Sequence, residues 1–253
     1  MSELPRVSVL VLAHNYGRFL ADAIESLLSQ DYTGELELIV IDDGSTDDTR
    51  QVASAYVERS PSVRYIHQEN QGVAGAANTG LAAATGELIA FHSADDVALP
   101  GKIRRQAEIL SERPEVGLVY GDMAVTDADL NVITPSFWAS QGIVPVRGDA
   151  LERAMIGPFV SGGTMMFRAC YRDSFYPLPL WAAWEDWWIT VHVAALAEFE
   201  FIGEPVLLYR QHGANMILGG TPDLTPGVRM HEWIAENRPA LEARAETTRG
   251  GSA

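Results

Sequence analysis

Cysteine, basic residues and long apolar runs are all scarce in this sequence. Cys170 is the single cysteine among 253 residues, so no disulfide can form within the chain, as is common in reducing compartments. No apolar run approaches the ~20 residues that cross a bilayer. The N-terminal segment lacks the basic-then-apolar pattern of a signal peptide. We therefore expect a cytoplasmic protein without a membrane span.

Lysine and arginine number 18 against 34 aspartates and glutamates, which gives a formal net charge of −16. A field of this sign repels nucleic-acid polymers and anionic lipid headgroups, so neither is an expected partner. A local site can still bind a nucleotide, although a diphosphate in a strongly negative site would require a cation. The hydrophobic fraction of 47% is ordinary for a packed globular protein.

The first half of the chain alternates short apolar runs with amphipathic segments. The predicted strands are Val7–Leu12, Leu36–Ile41, Val63–His67 and Glu87–Phe91. The predicted helices that follow them are Gly17–Ser29, Thr46–Arg59, Gly72–Ala84 and Pro100–Ser111. Repeated strand–helix units of this length predict an α/β fold with a mainly parallel sheet flanked by helices on both faces.

The alternation weakens after about residue 115. Here the predicted strands are Val116–Tyr120, Thr164–Phe167 and Pro205–Tyr209, and the predicted helices are Trp184–Ala197 and Val228–Arg244. The predicted irregular segments are a turn at Asp127–Asn131, a loop at Pro135–Val146 and a flexible link at 219–225.

We expect one domain over residues 1–218, with a nucleotide-binding half at about 5–115 and an acceptor half at about 116–218. Residues 219–253 would form a partly helical C-terminal extension. That extension either packs on the domain or mediates a homodimer.

Polar clusters follow three of the predicted strands, namely Ala13–Tyr16, Asp42–Asp47 and Ser93–Asp96. Ligands of open α/β sheets bind at the carboxyl ends of the strands, where these clusters would meet. A carboxylate at Asp42 or Asp43 can accept hydrogen bonds from a nucleobase or a ribose. The alternative is that these side chains only cap the next helix.

Asp95 and Asp96, in the last of these clusters, and two further clusters carry acids or a histidine. The adjacent carboxylates of Asp95 and Asp96 repel each other and favour Mg²⁺ or Mn²⁺, unless they cap the next helix. Glu185 and Asp186, between tryptophans, could include a general base, or could simply stabilise a helix start. The tryptophans suit sugar stacking and core packing equally. His212 follows the last predicted strand, where a structural role is the common alternative.

The motifs together, in this order, resemble the family 2 inverting glycosyltransferases with a GT-A fold. The resemblance covers about residues 5–215. It rests on VSVLVLAHNYGRFL, LELIVIDDGSTDDT, HQENQGVAGAANTG, ELIAFHSADDVALPGKI, WEDWWI and LLYRQHGAN. It implies a Rossmann-like nucleotide-binding half, an acceptor-binding half and transfer of a sugar from a nucleotide-sugar, most often a UDP-sugar.

The resemblance also implies residue roles. Nucleotide contacts are expected at Leu12, Ala13, His14, Asn15, Asp43, Asn78 and Asp95. The metal, Mn²⁺ or Mg²⁺, is expected at Asp95 or Asp96, with His212 as a further contact. Arg210 and His212 would lie beside the diphosphate. Asp186 would be the catalytic base that deprotonates an acceptor hydroxyl, with Glu185 supporting it.

Two positions depart from the family pattern. Ser93 stands where the family usually has aspartate, and Ala77 stands where it often has arginine. These departures keep open a second class of function, a degenerate transferase that binds a nucleotide or a protein partner without turnover. A nucleotidyltransferase or a dinucleotide oxidoreductase is disfavoured, because no glycine-rich loop follows the first strand.

The acceptor is expected to be a carbohydrate or glycoconjugate, as in bacterial polysaccharide synthesis. The stretch at 135–183 is rich in aromatic residues, which suits a sugar acceptor and core packing equally well. Its aromatic residues include Phe137, Trp138, Phe159, Phe175, Tyr176 and Trp181.

Overall fold

Nine strands form one mixed sheet in the computed structural model, which describes residues 4–213 and 224–250. The strands are β1 (Val7–Ala13), β2 (Leu36–Asp43), β3 (Val63–Gln68), β4 (Leu88–Ser93), β5 (Val97–Ala98), β6 (Val116–Thr126), β7 (Val132–Thr134), β8 (Met166–Arg168) and β9 (Glu198–Arg210). Their order is β3-β2-β1-β4-β8-β6-β9-β5, with β7 beside β6.

The helices lie between and after these strands. They are α1 (Gly17–Leu28), α2 (Thr49–Arg59), α3 (Gly72–Ala83), α4 (Lys102–Glu112), α5 (Phe137–Gln141), α6 (Leu151–Ile156), α7 (Glu185–Ala194) and α8 (Thr225–Gly250). Short 3₁₀ turns occur at Gly162–Thr164 and Ala169–Ser174.

The first four strands follow the predicted α/β pattern. β1 pairs in parallel with β2 and β4, and β2 pairs in parallel with β3. Alternate residues of β1 enter different cores: Val9 packs with Leu20 of α1, and Leu10 packs in the cluster that contains Ala77 of α3. The sheet therefore has helices on both faces, and the prediction of an α/β fold of this type is confirmed.

Antiparallel pairing enters in the second half of the sheet. β8 runs antiparallel to both β4 and β6, whereas β9 runs parallel to β6. β6 and β9 are longer than predicted, because pairing continues past Gly121 and Asp122 with register shifts. Those two residues end the apolar run in the sequence, but they do not end the backbone ladder.

Two predicted segments near the acceptor half differ locally from the structure. The strand expected at Thr164–Phe167 begins at Met166, because Gly162–Thr164 forms a 3₁₀ turn. The predicted loop at Pro135–Val146 contains α5, whose first residues are capped by Ser136.

Helix α8 packs on the domain rather than standing apart from it. Met230 and Ile234 belong to the hydrophobic cluster that contains α7, and the ring centroids of Trp233 and Trp188 are 4.5 Å apart. Of the predicted link at 219–225, residues 219–223 lie outside the described residues. Within residues 4–213 and 224–250, no helix combines the length and apolarity needed to cross a bilayer.

Candidate active site

The carboxyl ends of β1 and β2 bring three of the predicted nucleotide-binding residues together. His14 Nδ1 lies 2.7 Å from the carbonyl oxygen of Asp43. The Asn15 side-chain oxygen accepts a hydrogen bond of 2.8 Å from the Thr46 amide. Because β1 and β2 are parallel and pair Ala13 with Asp42, both strands end at the same level. The hydrogen bonds between the two loops therefore hold a polar surface at this end of the sheet.

The two aspartates that end β2 have different surroundings. Asp42 is fully buried, and although burial acts to raise its pKa, hydrogen bonds from Ser45 and Tyr65 hold it below the usual value. Asp43 accepts a hydrogen bond of 2.7 Å from the Gln68 side chain. Asp42 therefore holds the turn, whereas Asp43, which is also buried, has its backbone carbonyl against His14.

The polar turn after β3 also reaches this surface, which the sequence reasoning missed. The Gln71 amide donates to Asp43 at 2.9 Å, and the Asn70 side-chain nitrogen lies 3.3 Å from His14 Nδ1. Parallel pairing of β2 and β3 places that turn there. The available signal was the polar run QENQ directly after the third predicted strand.

Asn78, the predicted nucleotide contact on α3, forms two hydrogen bonds with the backbone of Leu178. Its amide nitrogen donates to the Leu178 carbonyl at 2.8 Å, and its oxygen accepts from the Leu178 amide at 2.7 Å. The side chain thus ties α3 to the acceptor half, and its contact with a nucleotide stays a prediction. Ala77 beside it is fully buried in the core.

Asp95 and His212, two of the predicted metal contacts, lie next to each other. His212 Nε2 lies 3.0 Å from Asp95 Oδ2, and both side chains are almost fully buried. Burial raises the pKa of Asp95, and His212 and Arg210 oppose that rise. The imidazole packs against the rings of Tyr16 and Phe19.

Asp96 points toward β9 instead. Its Oδ1 accepts a hydrogen bond of 2.9 Å from the Arg210 amide. Burial, reinforced by the Asp95 charge, raises the pKa of Asp96 well above its ordinary value. The two neighbouring aspartates therefore face different partners.

The donor set fits a divalent cation that takes further ligands from a substrate. No group of three or more His, Cys, Asp or Glu side chains in the described part of the chain forms a complete cage. The carboxylate of Asp95 and the imidazole of His212 are donors that Mn²⁺ accepts, and such ions commonly complete their shell with phosphate oxygens and water. Asp96 fits less well, because one of its oxygens already accepts the Arg210 amide.

The Arg210 guanidinium, predicted to lie beside the diphosphate, is held by other groups. Its Nη2 donates to Asp22 at 2.7 Å and its Nη1 to the Ala128 carbonyl at 3.0 Å. The guanidinium carbon lies 4.5 Å from the centre of the Phe19 ring. Contact of Arg210 with a diphosphate stays a prediction.

Glu185 and Asp186, the predicted catalytic pair, are the first two residues of α7. Asp186 Oδ2 accepts a hydrogen bond of 3.1 Å from the Gly162 amide. Burial raises the pKa of Asp186 to about 6, and the hydrogen bonds from Gly162 and Trp187 limit that rise. Burial and the neighbouring Asp186 charge raise the pKa of Glu185 to about 8. A raised pKa makes the ionised form of Asp186 a stronger base than an ordinary aspartate.

A pair of glycines connects the two acidic sites, and sequence reasoning missed this. A Cβ atom added to Gly162 would lie 3.1 Å from Glu185 Oε1, and one added to Gly163 would lie 3.6 Å from Asp96 Oδ2. This dipeptide therefore lies between the two acid pairs, with the Gly162 amide bonded to Asp186. The signal available in the sequence was the motif SGGT before β8.

The tryptophans around this pair divide into two groups. Trp187 and Trp188 are buried, and their indole nitrogens donate to the carbonyls of Ala154 and Phe175. Trp181 and Trp184 are partly exposed. Three further aromatic residues of the acceptor stretch, Trp138, Phe159 and Phe175, are core residues. Among these four tryptophans, only Trp181 and Trp184 therefore have exposed surface that can stack on a sugar.

The model of the family described as Glycosyl transferase family 2 matches residues 8–175. An uncharacterized glycosyltransferase of Nostoc sp. is 32% identical over 213 residues, an alignment that covers 83% of this chain and 66% of that protein. The alignments with seven other curated relatives cover 20–60% of those proteins. The chain thus spans less than two thirds of the length of these relatives.

Two solved structures share the fold. TarS of S. aureus in complex with UDP-GlcNAc superposes with a TM-score of 0.73 at 17% identity, covering 96% of this chain and 70% of that one. A mannosyltransferase from Pyrobaculum calidifontis, PcManGT, in complex with GDP-Man and Mn²⁺ superposes with a TM-score of 0.63 at 20% identity, covering 99% and 76%. Both show the GT-A-like fold.

Proposed function

The chain belongs to glycosyl transferase family 2, and on that premise we propose that it transfers a hexosyl group from a nucleotide-sugar to an acceptor hydroxyl with inversion. A UDP-sugar is the favoured donor, as UDP-GlcNAc is bound by TarS, and a GDP-sugar is the alternative, as GDP-Man is bound by PcManGT. The proposed acceptor is a carbohydrate or glycoconjugate of bacterial polysaccharide synthesis.

The donor would bind across the carboxyl ends of β1, β2 and β4. Leu12, Ala13 and the side chains of His14, Asn15 and Asp43 would hold the nucleoside, supported by the rigid contacts between the loops after β1 and β2. A carboxylate and an imidazole at this level can accept and donate hydrogen bonds to a base and a ribose. The diphosphate would then extend toward Asp95 and His212.

A divalent cation, Mn²⁺ or Mg²⁺, would be held by Asp95 and His212. Their separation of 3.0 Å and the composition of the pair support this assignment over one to Asp96. When bound, the ion would stabilise the negative charge that develops on the leaving diphosphate. With the net charge of −16, a bound cation also offsets the repulsion between the protein and the donor.

Asp186 would act as the general base, and its environment is the observation that carries the proposal. Its carboxylate is oriented by the Gly162 amide, and the same glycine pair lies against the acidic site at Asp96. Asp186 takes the proton of the acceptor hydroxyl, the oxygen forms a bond to the anomeric carbon, and the bond to the nucleoside diphosphate breaks. Glu185 would orient the acceptor beside it.

The test compares the wild type with Asp186→Asn in donor turnover and UDP binding. Release of UDP or GDP from a panel of hexose donors reports turnover even before the acceptor is identified. We expect Asp186→Asn to lose about 100-fold or more of the turnover while its Kd for UDP changes by less than about twofold.

Asp173→Asn is the matched control, since that carboxylate is 92% exposed and should leave both quantities unchanged. Unchanged turnover in Asp186→Asn would remove the base assignment. UDP or GDP binding without hydrolysis or transfer in the wild type would instead favour a non-catalytic nucleotide-binding module.

A further inference from the structure

Lys102 is the only lysine in the chain, and the other 17 of the 18 basic residues are arginines. It begins α4 and is fully buried, with no exposed surface. Burying an ammonium group costs stability unless it is paired with polar groups. Burial lowers the pKa of Lys102 to about 7, and the Asp96 charge opposes that fall. Because this burial costs stability, we expect Lys102 to make contacts that an exposed lysine could not make.

The partner of Lys102 is the turn that contains the two glycines. Lys102 Nζ donates a hydrogen bond of 2.6 Å to the carbonyl of Gly163. One helical turn later, Gln106 Nε2 donates one of 2.7 Å to the carbonyl of Thr164. Gln106 is also fully buried. Residues four apart share one face of a helix, so α4 holds two consecutive carbonyls of this turn.

The opposite side of the turn faces the reacting groups. The Gly162 amide donates to Asp186, and Gly163 packs against Leu207 and toward Asp96. A shift of the turn would therefore move a hydrogen-bond donor away from Asp186. Displacements of about 1 Å in a catalytic site can cost on the order of 100-fold in rate.

We infer that Lys102 and Gln106 are positioning residues that fix the Gly162–Thr164 turn and thereby orient Asp186 relative to the metal site. The inference rests on the proposed function, since it assigns a task to residues around the proposed base. Neither side chain contacts a reacting atom. A mere counter-charge to Asp96 would require Lys102 alone, whereas the role described here also requires the uncharged Gln106.

The experiment uses the full chain labelled with ¹⁵N-glycine and follows the Gly162 amide against pH. In the wild type, the Gly162 shift is expected to follow the ionisation of Asp186 near pH 6. Asp186→Asn should abolish that titration and so assign it. Lys102→Met and Gln106→Met should reduce its amplitude by about half or more and raise its midpoint, because a hydrogen bond to the ionised form is weakened.

In the same variants, kcat should fall about 10- to 100-fold while the KM for the donor changes by less than about twofold. Arg104→Met is the matched control: it removes a partly exposed cation of the same helix and should leave the titration and kcat unchanged. Folding is checked by near-UV circular dichroism.

The inference would be overturned if Gly162 titrated in Gln106→Met as it does in the wild type and kcat stayed within about twofold of the control. The Gln106 variant carries this test even if Lys102→Met does not fold. A wild type without transferase activity would contradict the proposed function. The positioning role would still be measurable, because the Gly162 titration needs no turnover.

Discussion

His212 faces Asp95, with Nε2 3.0 Å from Oδ2, although 117 positions separate the two residues. They meet because Val97, directly after the acidic pair, begins β5, which pairs with Leu208 of β9. β9 ends at Arg210, so the next residues reach back over the acids. The proposed metal site is therefore built by the pairing of β5 with β9.

Metal dependence is the first prediction. Calorimetric titration of UDP should show binding at least about tenfold tighter in Mn²⁺ than in EDTA, and Asp95→Asn and His212→Gln should remove most of that difference. Asp96→Ala should retain more of it and lose thermal stability instead, because alanine cannot accept the hydrogen bond that the Arg210 amide donates to Asp96. Equal UDP affinity in Mn²⁺ and EDTA would contradict the assignment of a metal to this pair.

The pH dependence of turnover follows from the two carboxyls at the start of α7. The base must be ionised, so kcat/KM should rise as the pH increases through about 6, the raised pKa of Asp186. Glu185→Gln should leave this limb in place and remove any change near pH 8, where Glu185 ionises. A wild-type profile that is flat between pH 5 and 7 would argue against Asp186 as the base; those limits bracket its pKa of about 6.

The contact between α8 and Trp184, the residue directly before α7, gives a third prediction. A Cβ atom added to Gly227 would lie 2.7 Å from the Trp184 ring. Trp184 directly precedes Glu185 and Asp186 in the chain. Gly227→Ala should therefore displace that ring, cost about 1–3 kcal/mol and reduce kcat severalfold. In Gly203→Ala the added Cβ would meet nothing within 4 Å, so this control should change neither unfolding nor activity. Equal stability and equal kcat in the two variants would show that the Trp184 ring can move aside without affecting either.

Glu37 gives a stability prediction at the opposite end of the strands. Burial acts to raise its pKa, but hydrogen bonds from Ser8, Thr85 and Arg64 lower it to about 2, below its ordinary 4.5. A depressed pKa in the folded state stabilises the protein above pH 4.5, and that contribution is lost as the pH falls toward 2. Glu37→Gln should cost about 2 kcal/mol at pH 7 by urea unfolding and much less near pH 3.

The control for this measurement is Glu35→Gln, because the Glu35 side chain is 79% exposed and its ion pair with Arg6 lies at the surface. It should change the free energy of unfolding by less than about 1 kcal/mol at either pH. If Glu37→Gln lost the same free energy of unfolding at both pH values, the ionisation of Glu37 would not contribute to stability.

The elements of the first half could be predicted because their signals are local. Apolar runs such as Val7–Leu12 and helical spacing such as Gly17–Ser29 depend only on neighbouring residues, and β1 and α1 lie where those patterns place them. The ordered motifs also identified the family. β6 extends past its apolar run because backbone pairing with β9 continues through Gly121 and Asp122.

The candidate site was only partly visible in the sequence. Its residue types and their positions after strands pointed to Asp43, Asp95 and Asp186. The partners of those side chains come from distant segments, such as Gly162 beside Asp186 and Arg210 bound to Asp22. Such pairs depend on strand order, register and the packing of side chains from separate elements, none of which leaves a local pattern. Sequence thus determined the family, the first strands and helices and the candidate acids, whereas tertiary structure decided which groups orient each acid.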